Sequence, residues 1–151
     1  MTLAKALGNG VPIGALLAKD AVASHFKPGD HGSTFGGNPL VCAAAFATVQ
    51  AIEDENILAN VNEMGNYFKE KLVAFKEKYD FILDVRGKGL LLGMELAMKG
   101  TDIVAKCLEK GVIINCTHDT VLRFLPPLNV TTAEIDKAVA VMDEVFQTIE
   151  A

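Results

Sequence analysis

The sequence predicts an α+β unit from about residue 80 to the C-terminus, preceded by a piece of an α/β domain that cannot close a sheet alone. Three observations predict this. Short strand-like runs at Phe81–Val85, Leu90–Leu96, 112–115 and 121–125 share the second half with helical stretches. The last of those helices has Thr131 and Glu134 at capping-box spacing. Residues 1–55 offer only one strand and two loops.

In order along the chain, residues 11–18 (VPIGALLA) predict a short buried strand after the turn Gly8-Asn9-Gly10. Residues 27–37 (KPGDHGSTFGG) hold four glycines and a proline and predict an irregular loop. It ends at Asn38-Pro39, a capping residue followed by a proline preset for the first helical position. A small-residue helix over about 39–54 follows, in which Ala43, Ala44, Ala45 and Ala47 permit close packing. The next helix, about 56–78, sets Ile57, Val61, Met64, Phe68, Leu72 and Phe75 three or four residues apart in one apolar stripe. Its charges, Lys69 to Lys71 and Lys76 to Lys78, lie off the stripe and predict a solvated face. The turn Arg86-Gly87-Lys88-Gly89 separates the first two strands of the second half. Residues 102–110 read as a helix, and Pro126-Pro127 stops the strand over 121–125. In the final helix Val130 and Ile135 are placed to form a hydrophobic staple, and Ala138, Val139, Met142, Val145, Phe146 and Ile149 continue the buried face. The implied organisation is 1–55, a linking helix over 56–79, and a small domain over 80–151.

Half of the 151 residues are hydrophobic and 22% are charged, an ordinary globular composition. Fourteen basic and 19 acidic residues give a net charge of −5. With no Lys/Arg cluster, that argues against a nucleic-acid binder, which needs a basic face. The longest apolar run, Val11 to Ala18, is too short to span a bilayer, and no secretory signal pattern follows Met1. Cys42, Cys107 and Cys116 are odd in number and lack zinc spacing. Cys42 and Cys107 fall in apolar helical patterns, which predicts buried reduced thiols in a cytoplasmic protein.

Three places carry chemistry. Lys5 sits among Leu3, Ala4, Ala6 and Leu7, and apolar surroundings disfavour the charged ammonium and free the amine for Schiff-base chemistry. Alone, such a lysine is usually a solvated surface residue. The loop His31 to Gly37 offers hydroxyls, glycine amides and a helix start, the ingredients of an oxyanion site, or simply a glycine-rich connection. Arg123 stands between Leu122 and Phe124, where a carboxylate is its best geometric match. That carboxylate is equally well a structural Asp or Glu or a substrate. His25, His31 and His118 show no metal-ligand spacing.

Together and in order, TLAKALGNGVPIGALLA, GDHGSTFGGNPLVCAAA and VLRFLPPLNVTTAEID resemble successive signatures of the class III (subgroup II) aminotransferases, in wording nearest to the acetylornithine branch. The resemblance runs from Thr2 to the C-terminus. It implies the C-terminal part of the fold type I transferases that use pyridoxal 5′-phosphate (PLP): the edge of the large PLP-binding domain followed by a small α+β domain. It implies that Lys5 holds the cofactor covalently and moves a proton at the substrate Cα. Thr34 would bind the cofactor phosphate in the neighbouring subunit's site of a homodimer, and Ser33 would approach the substrate there. Arg123 would hold the carboxylate of the amino-acid substrate or of 2-oxoglutarate. The reaction implied is amino transfer between N-acetylornithine and 2-oxoglutarate, a step of arginine biosynthesis. In this family the acid for the pyridine nitrogen, the stacking aromatic and a further phosphate loop precede the lysine. Only four residues precede Lys5, so the resemblance implies a portion that is inactive in isolation. The alternatives are a non-catalytic folding or dimerisation module, and an ornithine, succinylornithine or 4-aminobutyrate enzyme.

Overall fold

The computed structural model describes residues 1–150. The chain forms two compact units, Met1–Asn56 and a second beginning at Ile57.

In the first unit, β1 (Thr2–Leu3) pairs antiparallel with β2 (Ala15–Leu16), with Thr2 opposite Leu16 and Leu3 opposite Ala15. The strand expected over residues 11–18 therefore shrinks to two residues. A strand needs a ladder partner; β1 supplies two residues, and Pro12 has no N–H to offer. A single 3-10 turn, Lys5–Gly8, links the two strands and ends at Asn9, whose φ of 45° is left-handed. Gly8 is forced by space, since a Cβ there would lie 2.8 Å from Ile13 Cγ2. A four-residue helix α1 (Asp20–Ala23), not foreseen, precedes the irregular glycine-rich segment. Asn38 then starts α2 (Pro39–Asp54), its Oδ1 accepting from the amides of Leu40 and Val41 at 3.1 and 3.2 Å. Helix α2 buries only Val41 and Ala45. Cys42 is exposed, contrary to the expectation of a buried thiol; it lies off the narrow side on which α2 makes contact.

The second unit is α3 (Ile57–Lys78), β3 (Ile82–Lys88), β4 (Leu91–Leu96), α4 (Thr101–Glu109), β5 (Asn115–Thr117), β6 (Val121–Phe124) and α5 (Thr132–Glu150). The strands form one antiparallel sheet in the order β3-β4-β6-β5. Alternation does what a period of two requires. Leu92, Met94, Leu96, Leu122 and Phe124 all point to one face and join a core with Phe68, Leu72, Ile103, Cys107, Met142 and Phe146 from the helices. The opposite face carries Arg86, Gly93, Arg123 and Asn115 in one cross-strand row.

The strand expected over 112–115 begins instead at Asn115. The Val112 amide is taken up by the exit of α4, donating to Cys107 O at 2.9 Å. Residues 112–114 then run past Leu125, Pro126 and Pro127, and the prolines cannot donate to a ladder. The β5–β6 turn places His118 and Asp119 at φ of 50° and 61°, the primed hairpin geometry. Helix α5 starts as expected: Glu134 accepts from the Thr131 amide at 2.8 Å while its own amide donates back to Thr131 Oγ1 at 3.4 Å. Val130 and Ile135 are both buried beside this box. Cys107 is fully buried and burial pushes its thiol up to about 11, whereas Cys116 is half-buried.

Candidate functional site

Two grooves carry the residues singled out above, one in each unit. In the first unit, an open groove of about 580 Å³ is lined by Lys5, Pro12, Ile13, Gly14, Gly36 and Gly37. Its only ionisable lining group is the Lys5 amine. Lys5 itself holds a left-handed backbone, φ 58°, an uncommon conformation for a residue with a Cβ. It is exposed, so the apolar enclosure suggested by its neighbours is not provided within this unit. The glycines give the groove a wall of backbone. Gly37 is left-handed at φ 66°, and a Cβ on Gly36 would lie 2.7 Å from Ser33 Oγ.

That last contact defines Ser33. Its hydroxyl oxygen accepts a hydrogen bond from the Gly36 amide at 3.0 Å, closing the loop on itself. Thr34 is exposed, and among the described residues its hydroxyl has no hydrogen-bond partner. The structure thus brings Lys5 together with the glycines of the loop, while Ser33 and Thr34 lie outside the groove lining.

In the second unit, Arg123 projects from β6 on the face opposite Leu122 and Phe124. It lines a groove of about 590 Å³ with Phe68, Asn115, Leu125, Pro126 and Pro127. Its row-mate Arg86 is fully committed, to Asp84 at 3.0 Å and Glu95 at 2.7 Å. Glu95 also accepts from Thr120 Oγ1 at 2.9 Å. Arg86, then Thr120, hold the Glu95 carboxyl below its usual range, and Arg86 does the same for Asp84. Arg123 makes no salt bridge among the described residues. Of the two partners left open for it, no structural carboxylate lies within ion-pair distance among the described residues; Glu134 lines the same groove but is bonded to Thr131. Gly93 faces it across the ladder.

Among the described residues, no group of three His, Cys, Asp or Glu is placed to hold a metal ion, and no helix is long and apolar enough to cross a membrane.

The pattern of an amine and glycine wall followed by an unpaired arginine has clear relatives. The model of the family described as aminotransferase class-III matches residues 1–146. The chain belongs to the class III aminotransferases. The acetylornithine aminotransferase of Methanocaldococcus jannaschii is 56% identical over 150 residues, covering 99% of the chain. Among solved structures, ornithine aminotransferase from Toxoplasma gondii, described with partial occupancy of PLP at its active site, superposes with a TM-score of 0.91 at 36% identity over 99% of the chain. Acetylornithine aminotransferase from Elizabethkingia anophelis gives 0.89 at 34% identity over 97% of the chain. The chain spans 38%, 36% and 40% of the lengths of these three relatives. Its fold is that of part of a fold type I transferase.

One polar residue that ties down the loop after β6 gave little sign of this in the sequence. Asn60 of α3 donates its side-chain amide to Leu128 O at 2.8 Å and to Val130 O at 3.2 Å. The only sequence signal was an asparagine three residues after Ile57, on the edge of the apolar stripe.

Proposed function

We propose that this chain is the C-terminal portion of a PLP-dependent aminotransferase that moves an amino group between N-acetylornithine and 2-oxoglutarate. The observation that carries the reading is the first groove, in which Lys5 and Gly36-Gly37 share one wall. An amine facing a backbone-lined hollow suits a flat cofactor bound through a Schiff base, with a glycine-rich loop near its phosphate. The fit is partial. The groove lining contains no carboxylate for a pyridine nitrogen and no aromatic ring to stack on it.

When bound, PLP supplies the electron sink that makes the substrate Cα–H bond acidic. Lys5 takes the Cα proton and returns it. Thr34 would donate its hydroxyl to the phosphate, in the neighbouring subunit's site of a homodimer, and Ser33 would lie beside the substrate there. Arg123 forks onto the substrate carboxylate, fixing the Cα it carries. Residues 1–55 are read as the edge of the PLP-binding domain, residues 56–79 as a linking helix and residues 80–151 as the small domain, in a cytoplasmic enzyme. The 56% identity to an acetylornithine enzyme favours that substrate over ornithine.

The test is borohydride reduction after incubation with PLP, followed by peptide mapping. Preferred labelling at Lys5 is expected; label spread evenly over surface lysines would overturn the assignment. The purified 151-residue chain is expected to show no turnover. Adding a separate polypeptide carrying the rest of a class III enzyme should restore cofactor absorbance. A non-catalytic module, the second reading, restores nothing on mixing.

A further inference from the structure

The segment that follows β6 has an unusual problem. Pro126 and Pro127 have no N–H, so this stretch cannot be tied to the sheet by its own amides. Yet Leu125, Pro126, Pro127 and Val130 form one side of the groove that holds Arg123. A single internal bond, from the Val130 amide to Pro127 O at 3.0 Å, closes the turn. The tie to the rest of the unit comes from Asn60, whose amide group spends both of its protons on carbonyls two residues apart, Leu128 O and Val130 O. These bonds span 68 and 70 residues of sequence, so they join α3 to the loop directly.

Helix α3 is a firm anchor. Met64 and Phe68, one and two turns beyond Asn60, are buried in the core. Phe68 also lines the Arg123 groove and meets the Phe124 ring edge-on at a centroid distance of 5.3 Å. One helix thus supplies a wall of the groove and, through Asn60, fixes the loop that forms another wall. Asn60 does not line the groove itself.

We infer that Asn60 is a positioning residue for carboxylate binding at Arg123: it holds the Leu125–Val130 loop in the register that shapes the groove. The inference rests on the reading of Arg123 as a carboxylate clamp and names a residue that acts on that clamp through the loop. An Asp at this position keeps the shape and removes both donors, turning two attractive contacts with carbonyl oxygens into repulsive ones.

The chain's two arginines make the test direct, because Arg86, held internally by Asp84 and Glu95, serves as the reference signal. The Nε–Hε signals of the isotope-labelled 151-residue chain are followed while succinate is added as a dicarboxylate probe. The wild-type Arg123 signal should shift and the Arg86 signal should stay. N60D and N60A should each weaken the apparent affinity by roughly tenfold, the scale of about one good hydrogen bond lost. In both variants the Val130 amide, whose bond to Pro127 O closes the turn, should lose exchange protection. Y67F is the control, since it removes another polar tie from α3, the Tyr67 hydroxyl to Asp136 Oδ1 at 2.6 Å on α5, and should leave Arg123 unaffected. Unchanged affinity and loop exchange in N60D and N60A would overturn the inference, as would equal weakening in Y67F. If wild-type Arg123 ignores succinate, the carboxylate reading falls and with it the functional part of the inference. Loop exchange then decides whether Asn60 is a loop clamp at all.

Discussion

The two units have similar proportions of apolar residues and use them very differently. In the second, Leu72, Met94, Leu122, Met142 and Phe146 are wholly buried, and three helices cover one face of a four-stranded sheet. In the first, Phe35 is 82% exposed, Leu40 72% and Phe46 66%, and the buried hydrophobic residues are Val41 and Ala45. The second unit closes a core by itself; the first has the composition of an interior without the surfaces that make one. The candidate chemistry divides along the same line. Arg123 stands on a rigid strand whose neighbours are locked in the core. Lys5, Ser33 and Thr34 stand on loops and a single 3-10 turn, positions that need outside support to be held still.

The largest expected effect comes from truncating an aromatic residue in each unit. Phe146 meets Phe75, Tyr79 and Phe81 at centroid distances of 5.2 to 5.6 Å. F146A should cost about 3–5 kcal/mol, as core Phe→Ala changes do. F46A should stay within about 0.5 kcal/mol, as exposed positions do. Urea unfolding followed by tyrosine fluorescence reads the second unit alone, because the chain has no Trp and both tyrosines, Tyr67 and Tyr79, lie there. A shift of that transition by F46A comparable with that of F146A would break the contrast.

Adding a methyl group probes the same contrast from the opposite side. A Cβ on Gly65 of α3 would lie 2.5 Å from the carbonyl group of Gly89, which is backbone and cannot swing away. G65A should therefore cost about 1–3 kcal/mol, the range for overpacking, in the same urea experiment. At Gly8 the clash is with the Ile13 side chain at 2.8 Å, and G8A should cost less while distorting the wall beside Lys5. The check there is reduced selectivity of borohydride labelling at Lys5.

Helix caps come next, at about 1 kcal/mol each. The same loss should look different in the two units. T131A removes the two bonds of the Thr131 hydroxyl, which donates to the Glu134 carboxylate and accepts from the Glu134 amide, but α5 remains held by Ile135, Met142, Val145 and Phe146 in the core. Its helicity should persist while the unfolding midpoint falls. N38A takes the cap from a 16-residue helix that buries two residues, close to the length at which a helix is marginal in water. Helical circular dichroism should fall without any change in the tyrosine-detected transition.

Legibility in the sequence followed the same division. The stripe Ile57 to Phe75 and the box at Thr131 were readable because periodicity and capping act within a few residues, and those elements formed where expected. The strand over residues 11–18 failed because pairing is decided by a partner strand, and only β1 was there to pair. The strand over 112–115 slid because a helix exit took the Val112 amide. At the candidate site, Lys5, the glycine loop and Arg123 were legible as motifs. Asn60 was not, since its meaning lies in carbonyls 68 and 70 residues away. The role of Ser33 in closing its own loop was equally invisible, because Ser-Thr-Phe-Gly states no hydrogen bond.

The smallest effect expected is electrostatic, and it too belongs to one unit. All five salt bridges among the described residues lie in the second. Asp143 and Glu95 are the least exposed of their carboxyls, and Asp143 pairs with a helix lysine. Burial pushes Asp143 up, but Lys78 at 2.6 Å, Tyr79 at 2.7 Å and Gln147 outweigh that and hold it below its usual value. A carboxyl lowered by folding contributes stability above its ordinary value of 3.8, and loses it as pH falls through the lower folded value. Asp136 and Glu134 are lowered as well, by Tyr67 and by the Thr131 amide, and act in the same direction. Tyr79, raised first by burial, has the opposite dependence: its contribution is complete below its ordinary value of 10.0 and is lost as pH rises through the higher folded value. D143N keeps an acceptor for Tyr79 and removes the charge facing Lys78. It should cost about 0.5 kcal/mol or less at neutral pH and flatten the acid side of the tyrosine-detected stability profile. The helical signal of α2, which has no ion pair among the described residues, should not follow that acid transition. If it does, the two units unfold as one, and the division between a closed core and an open edge is wrong.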